Sequence, residues 1–243
     1  RAGNIAENRR ITVEGVVTGT FTGKEQLGGF FLQQRGNPPA GIFIYAPTLA
    51  AGEPKPGQRV QIKGRFTRFH GRPQMHRIDA LTDCGYAGLP DPLPLRLPDD
   101  ASRLPQLQDV KVQFPDPLTV TGNYELGRYG SLRLSADGRL LRRGASGTAV
   151  ARGHAMRQIV LDDGSYRANP DPIPYLDNQG TRRTGDTVQG LTGVLTEAFG
   201  ERRLHPTRTP AFVAGNPRPA PPPASAEALR VATLNVENYF VSL

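Results

Sequence analysis

The sequence predicts a mostly β chain built from two OB-like barrel modules, and three observations carry that expectation. The first is composition: 243 residues include 28 Gly and 23 Pro, which shortens elements and multiplies turns. The second is a period-2 apolar pattern recurring in short segments, the mark of half-buried strands. The third is an internal echo between Gln58-Arg-Val-Gln-Ile-Lys-Gly-Arg-Phe66 and Thr187-Val-Gln-Gly-Leu-Thr-Gly-Val-Leu195. In both, alternation follows a turn and a Gly sits inside the strand. The length suits one or two domains, and 37% apolar residues can supply a core.

The first module is assigned to residues 1–84. Ile11, Val13, Gly15 and Val17 alternate with Thr12, Glu14, Val16 and Thr18, giving a first strand. Gly28-Gly29 introduces Phe30-Phe31-Leu32-Gln33-Gln34, and a Gly-Asn-Pro-Pro-Ala-Gly turn leads to Ile42-Phe43-Ile44-Tyr45. The fourth strand is the clearest, with Val60, Ile62, Gly64 and Phe66 on one face and Arg59, Gln61, Lys63 and Arg65 on the other. His70-Gly71-Arg72-Pro73 makes a hairpin turn before Gln74–Leu81. Gly inside the first and fourth strands, where a barrel strand must bend, fits a five-stranded OB-type barrel. The pattern alone leaves a sandwich open, because five strands with turns do not decide closure.

Residues 85–111 form a Pro-rich connection whose fixed φ values make an extended strap. Leu93, Leu95 and Leu97 alternate along it, as in a strand packed at an edge, and Ser102–Asp109 suits one or two helical turns. Residues 112–215 read as the second barrel, with strands at Leu118–Tyr124, Ser131–Ser135, Gln158–Leu161, Thr187–Leu195 and Arg203–Pro210. Long insertions at 136–157 and 164–184 elaborate it. Residues 216–228 are a Pro-rich linker, and residues 229–243 begin something new.

Charge points to a partner. The net charge is +8, and residues 1–84 hold 12 Lys/Arg against 6 Asp/Glu, which favours a polyanion there. Lys63–Arg77 concentrates Lys63, Arg65, Arg68, Arg72 and Arg77 with His70, His76, Phe66 and Phe69, and contains no carboxylate. Cations neutralise phosphate and aromatic rings stack on bases, so Lys63, Arg65, Arg68, Phe69, Arg72 and Arg77 are the candidate contacts for single-stranded DNA or RNA. Phe66 falls on the apolar face of its strand and is assigned to the core. The competing reading is a module that packs on a neighbouring domain, stabilises it or aids secretion without touching nucleic acid. OB-folds also bind oligosaccharides, which leaves a third class of partner.

Other residues are assigned structural roles. The single cysteine, Cys84, is expected to be a small buried residue. Leu126-Gly-Arg-Tyr-Gly130 should fix a corner between strands, and Asp162-Asp163-Gly164-Ser165 should form an Asx turn rather than a Ca²⁺ loop. Arg142-Arg143 and Arg182-Arg183 are expected as solvated charge, and His154 and His205 have no partners at metal-ligand spacing. No run of 18 apolar residues spans a membrane. The chain opens at Arg1 without an apolar leader, so a signal peptide is expected to have been removed or to lie upstream.

The last segment, Leu229-Arg-Val-Ala-Thr-Leu-Asn-Val-Glu-Asn-Tyr-Phe240, is an apolar strand running into Asn235, Glu237 and Asn238. Such oxygen ligands suit a hard divalent cation and a phosphate. Together with Val13-Glu-Gly-Val-Val-Thr-Gly19, Gly29-Phe-Phe-Leu-Gln33, Gly41-Ile-Phe-Ile44, Val60-Gln-Ile-Lys-Gly64, Leu118-Thr-Val-Thr-Gly-Asn-Tyr-Glu-Leu-Gly-Arg-Tyr-Gly130 and Leu161-Asp-Asp-Gly-Ser165, it resembles secreted bacterial nucleases of the extracellular-deoxyribonuclease type. These carry OB-like modules ahead of an endonuclease/exonuclease/phosphatase domain. The resemblance implies a parent hydrolase that cuts phosphodiester bonds with Mg²⁺ or a similar ion, secreted or periplasmic in a bacterium. It implies that residues 229–243 are the first strand of an α/β nuclease domain and that Asn235 matches its first active-site Asn. The family's metal-binding Glu and its water-activating His/Asp pair would lie beyond Leu243, so Glu237 is not assigned as a ligand. A fragment holding Asn235 alone is expected to bind no cofactor and to be catalytically silent.

Overall fold

The structure, a computed structural model, describes residues 5–49, 52–140 and 148–220. The first five strands are β1 (Arg10–Phe21), β2 (Gly29–Gln34), β3 (Ala40–Tyr45), β4 (Gln58–Phe69) and β5 (Arg72–Tyr86). They close into a barrel in the order β1-β2-β3-β5-β4. Closure decides for the barrel over the sandwich. All pairs are antiparallel except β3 with β5, where Phe43 and Ile44 run alongside Gln74 and Met75. The register follows the alternation: Val17, Phe30, Leu32, Ile44, Val60, Ile62 and Met75 fill the barrel, while Thr12 and Lys63 meet on the outside. Bulges at Val17/Gly19 and Lys63/Arg65 let the long strands coil around the small core.

The strap then crosses to the second unit. Its residues β6 (Leu93–Pro94) pair in parallel with β7 (Lys111–Phe114). Leu95, Leu97, Leu104, Leu107 and Val110 are buried in the second core. The predicted turns of Ser102–Asp109 shorten to a 3-10 turn over Leu104–Leu107.

The remaining strands are β8 (Leu118–Gly122), β9 (Ser131–Ser135), β10 (Gln158–Asp162), β11 (Thr187–Val188), β12 (Leu191–Ala198), β13 (Glu201–Pro206) and β14 (Phe212–Val213). Where a second barrel is expected, they form with β6 and β7 one curled nine-stranded sheet in the order β14-β11-β8-β9-β10-β13-β12-β7-β6, and its central pairing repeats that of the first barrel. β8–β9, β9–β10, β12–β13 and β12–β7 are antiparallel, and β10–β13 is parallel. β7 and β8 are the two halves of one bent strand, divided at Pro115-Asp116-Pro117 because proline supplies no ladder donor. β7/β8 thus correspond to β1, β9 to β2, β10 to β3, β12 to β4 and β13 to β5.

That correspondence explains the sequence echo. A Cβ on Gly64 would sit 3.1 Å from the His76 carbonyl, and one on Gly193 would overlap the His205 carbonyl. In both barrels the fourth strand needs glycine where the fifth passes over it.

Several expectations are corrected. The predicted strand Thr187–Leu195 breaks at Gly190 (φ 66°) into β11 and β12. The insertion at 136–157 contains a helix, α2 (Thr148–Arg157), and the corner at Leu126–Tyr129 is itself one helical turn, α1, capped by Gly130 in the left-handed region. Cys84 is half-exposed, near the end of β5 where that strand pairs only with β4. Arg182 is not solvated. It is buried against Asp186 at 3.1 Å, donates to the Tyr175 carbonyl at 2.8 Å and lies 4.2 Å over the Phe212 ring. Arg183 donates to the Asn216 carbonyl at 2.7 Å. Arg142-Arg143, the prolines at 221–223 and the whole of 229–243, including Asn235, lie outside the described residues.

Candidate nucleic-acid interface

An OB barrel holds oligonucleotides or oligosaccharides on the outer face of its second and third strands, flanked by the loops after strands one and four. In the first barrel that face is covered. Phe31 and Phe43, both turned outward, pack with Phe21, Leu27 and Val194 of β12. The His205 ring of β13 stacks on Phe31 at 6.1 Å. Gln33 accepts a buried hydrogen bond from the Lys111 backbone N–H at 2.8 Å. The loop after β1 is also engaged: Tyr166 N–H and Ser165 Oγ donate to the Glu25 carbonyl at 2.6 and 3.0 Å.

What remains open on this barrel is the β4–β5 hairpin and the outer face of β1, β4 and β5. Lys63 is exposed between Thr12 and Ala80. Arg65 stands between Arg10 and His76 and donates to the Asn8 carbonyl at 3.0 Å. Arg77 is exposed in the bulge, with φ 46°. Among the described residues, neither Lys63 nor Arg77 has a carboxylate partner. Arg10 and Arg59 extend the same face but are paired, to Asp79 at 2.9 Å and Glu14 at 3.5 Å. Both arginines are legible in the alternation of β1 and β4, outside the charge run at 63–77.

The hairpin tip presents Phe69, 59% exposed, with His70 edge-on at 4.3 Å. Phe66 is fully buried, as its register predicts. Two of the predicted contacts instead brace the hairpin. Arg68 pairs with Glu7 at 3.1 Å, donates to the Ile5 carbonyl and covers the Phe66 ring at 4.9 Å. Arg72 turns inward to Asp109 at 2.7 Å and lies over Phe43 and Phe31 at 4.8 and 5.3 Å. Burial pushes the Asp109 carboxyl above its ordinary range, opposed by Arg72, Gln108 and the Phe43 backbone donor. The structure therefore leaves Lys63, Phe69 and Arg77 exposed and Arg65 half-buried, and braces the hairpin that carries them through Arg68 and Arg72.

A second titratable cluster lies between the barrels. His205 Nε2 is 3.0 Å from Thr196 Oγ1, and its Nδ1 is 3.4 Å from Asp162, an ion-pair distance without a well-aligned hydrogen bond. Burial acts to raise Asp162, but His205, the Gly164 N–H and Arg203 outweigh it and hold the carboxyl at about 2. Burial lifts the neighbouring Asp163 to about 6, the Ser165 N–H opposing and the Asp162 charge adding to the rise. The Thr-His-Asp array resembles a nucleophile relay, yet Thr196 is 1% exposed and no substrate reaches it. The two Asx bonds, Gly164 N–H to Asp162 at 2.8 Å and Ser165 N–H to Asp163 at 2.9 Å, make this a braced turn. Among the described residues no group of three or more His, Cys, Asp or Glu side chains suits a metal ion, and no helix is long and apolar enough to cross a membrane.

No protein-family model and no curated protein matches the chain. Among solved structures, the chain is similar to a murine DNA-binding protein bound with double-stranded DNA, at 10% identity and a TM-score of 0.37, over 84% of this chain and 97% of that one. It is also similar to a HINb domain, at 11% identity and a TM-score of 0.34, over 86% of this chain and 98% of that one.

Proposed function

We propose that the first barrel binds single-stranded nucleic acid through its β4–β5 hairpin, as the front region of a metal-dependent nuclease. The observation that carries the binding role is Phe69, 59% exposed at the tip of a hairpin braced on both sides, beside cations without carboxylate partners. Bases stack on Phe69, each such contact contributing about 1–3 kcal/mol, and phosphates run past Lys63, Arg65 and Arg77. Arg68 and Arg72 hold the hairpin in a fixed orientation, so little is lost to ordering on binding.

The nuclease context is supported by the sequence Leu229–Phe240, which lies outside the described residues, and by the order of the motifs before it. In that setting Asn235 would contribute to a site for Mg²⁺ or a similar ion, which would supply charge stabilisation to phosphodiester cleavage. A secreted or periplasmic bacterial enzyme follows from the same resemblance. The covered face of β2 and β3 favours a second reading, a packing module that contacts no nucleic acid.

Fluorescence anisotropy with a labelled oligothymidylate separates the two. Binding should weaken with salt by about 0.7 log units per log unit for each phosphate contact. Phe69→Ala should weaken it without changing that slope, and Lys63→Ser should flatten it. No binding at low salt leaves the packing reading in place.

A further inference from the structure

The second barrel carries the same OB face, and only half of it is covered. On β12, β13 and β10, Val194 packs on Phe21 and Phe31, and Asp162, His205 and Thr196 lie at the junction. The other half, from β9 to the start of β13, is open. Two clefts of about 300 and about 370 Å³ meet there across Arg133 and Gln158. They are bounded by the two loops an OB-fold uses, Asn123–Gly130 after its first strand and Phe199-Gly200 after its fourth. Ala155 and His154 of α2 line the far sides.

The chemistry of these clefts differs from that of the hairpin. Three carboxylates, Glu125, Glu197 and Glu201, face two guanidiniums, Arg133 and Arg202. Arg133 is already saturated by Glu201, with Glu125 at 3.5 Å, and Glu125 also accepts from Ser131 Oγ at 3.3 Å. A polyanion brought here would meet uncompensated carboxylates. A neutral ligand carrying many hydroxyls would instead find fixed donors and acceptors side by side, with the Gln158 amide offering both. At the rims stand two of the most exposed aromatic rings among the described residues, Tyr124 at 97% and Phe199 at 85%. Phe199 is held by the Arg203 guanidinium 5.2 Å over its ring. Flat apolar rings flanking a polar groove with one carboxylate in excess fit the apolar faces and hydroxyl edges of a neutral sugar ring better than a polyanion.

We infer that the half-open face of the second barrel, between Tyr124 and Phe199, binds a neutral oligosaccharide. The first barrel then holds nucleic acid and the second a glycan, on separate surfaces of the chain. Amide chemical shifts of the ¹⁵N-labelled chain are followed during titration with neutral gluco- and N-acetylgluco-oligosaccharides of α and β linkage. At least one sugar should move amides within 121–133, 154–160 and 197–203 and leave the 63–77 hairpin unmoved. The affinity should be the same at low and high salt, since no counterion is released. Tyr124→Ala and Phe199→Ala, at rings 97% and 85% exposed, should each weaken it about tenfold, with amide shifts outside the clefts and outside Arg203, which loses its ring contact, unchanged. Failure of every sugar to move these amides overturns the inference, as does oligothymidylate moving them in a salt-dependent way. Neither result bears on binding at the hairpin, which reports through its own amides.

Discussion

Replacing Arg72 by Met removes one partner of a buried ion pair, the guanidinium over Phe31 and Phe43, and leaves an unbranched apolar side chain in its place. The Asp109 side chain is 1% exposed and that of Arg72 17%, so the surviving carboxylate would be left in a dry site. Losing one partner of such a pair costs about 3–5 kcal/mol. Gln108 and the Phe43 N–H still donate to Asp109, which places the expected cost near the lower end, about 3 kcal/mol. In a unit of this size that lowers the melting temperature by roughly 6–12 °C. Asp109 sits at φ 63°, a conformation Asn accepts, so Asp109→Asn neutralises the carboxylate without backbone strain. The double variant should recover more than about 1 kcal/mol relative to the sum of the singles. The pH dependence has a definite sign. Burial already raises the Asp109 carboxyl, so its ionisation opposes folding, and without Arg72 the folded value climbs further. The Arg72→Met deficit should be full at neutral pH and shrink as acid protonates Asp109. Urea denaturation across that range is the assay. A deficit below about 1 kcal/mol at neutral pH, or one that does not change with acid, would refute the buried-charge reasoning.

Three further outcomes follow from the same geometry. Asp163→Asn should stabilise the protein at neutral pH, because its carboxyl, raised to about 6, loses folding free energy on ionising. Two pK units correspond to about 3 kcal/mol, which partial exposure reduces to about 1, and the gain should vanish below about pH 4 in a pH series of melts. Asp162→Asn should act oppositely, costing about 2 kcal/mol at neutral pH, with the deficit closing as pH falls from the ordinary carboxylate value towards about 2. Gly41→Ala should destabilise by more than about 2 kcal/mol, since a Cβ there overlaps the Asp109 carbonyl where strand β3 meets the strap; near-wild-type stability in urea would mean that this contact relaxes freely.

The strands were legible where one face is wet. β1 and β4 alternate, and their register follows directly. The Gly64/Gly193 echo marked the same bend in both barrels before any topology was known. β7 was not legible, because Lys-Val-Gln-Phe is four residues wedged between a strap and Pro115, too short to show a period. Arg72 and Arg182 look alike in sequence, as basic residues near turns. The partner of Arg182 was readable four residues on at Asp186, whereas that of Arg72 lies 37 residues away, beyond any local pattern.

The most informative overlooked signal lay in β2 and β3. Phe30-Phe31-Leu32 and Ile42-Phe43-Ile44 are continuous apolar runs, and a strand that does not alternate is buried on both faces. One face of an OB barrel's own strands faces its core, so the other had to face a second body. Read that way, the sequence already states that the grip face of the first barrel is occupied by its neighbour. Any ligand of that barrel must then be met by residues off that face. The Lys63–Arg77 hairpin lies off the face that the apolar runs bury, with Lys63 and Arg77 exposed and the Phe69 ring 59% exposed.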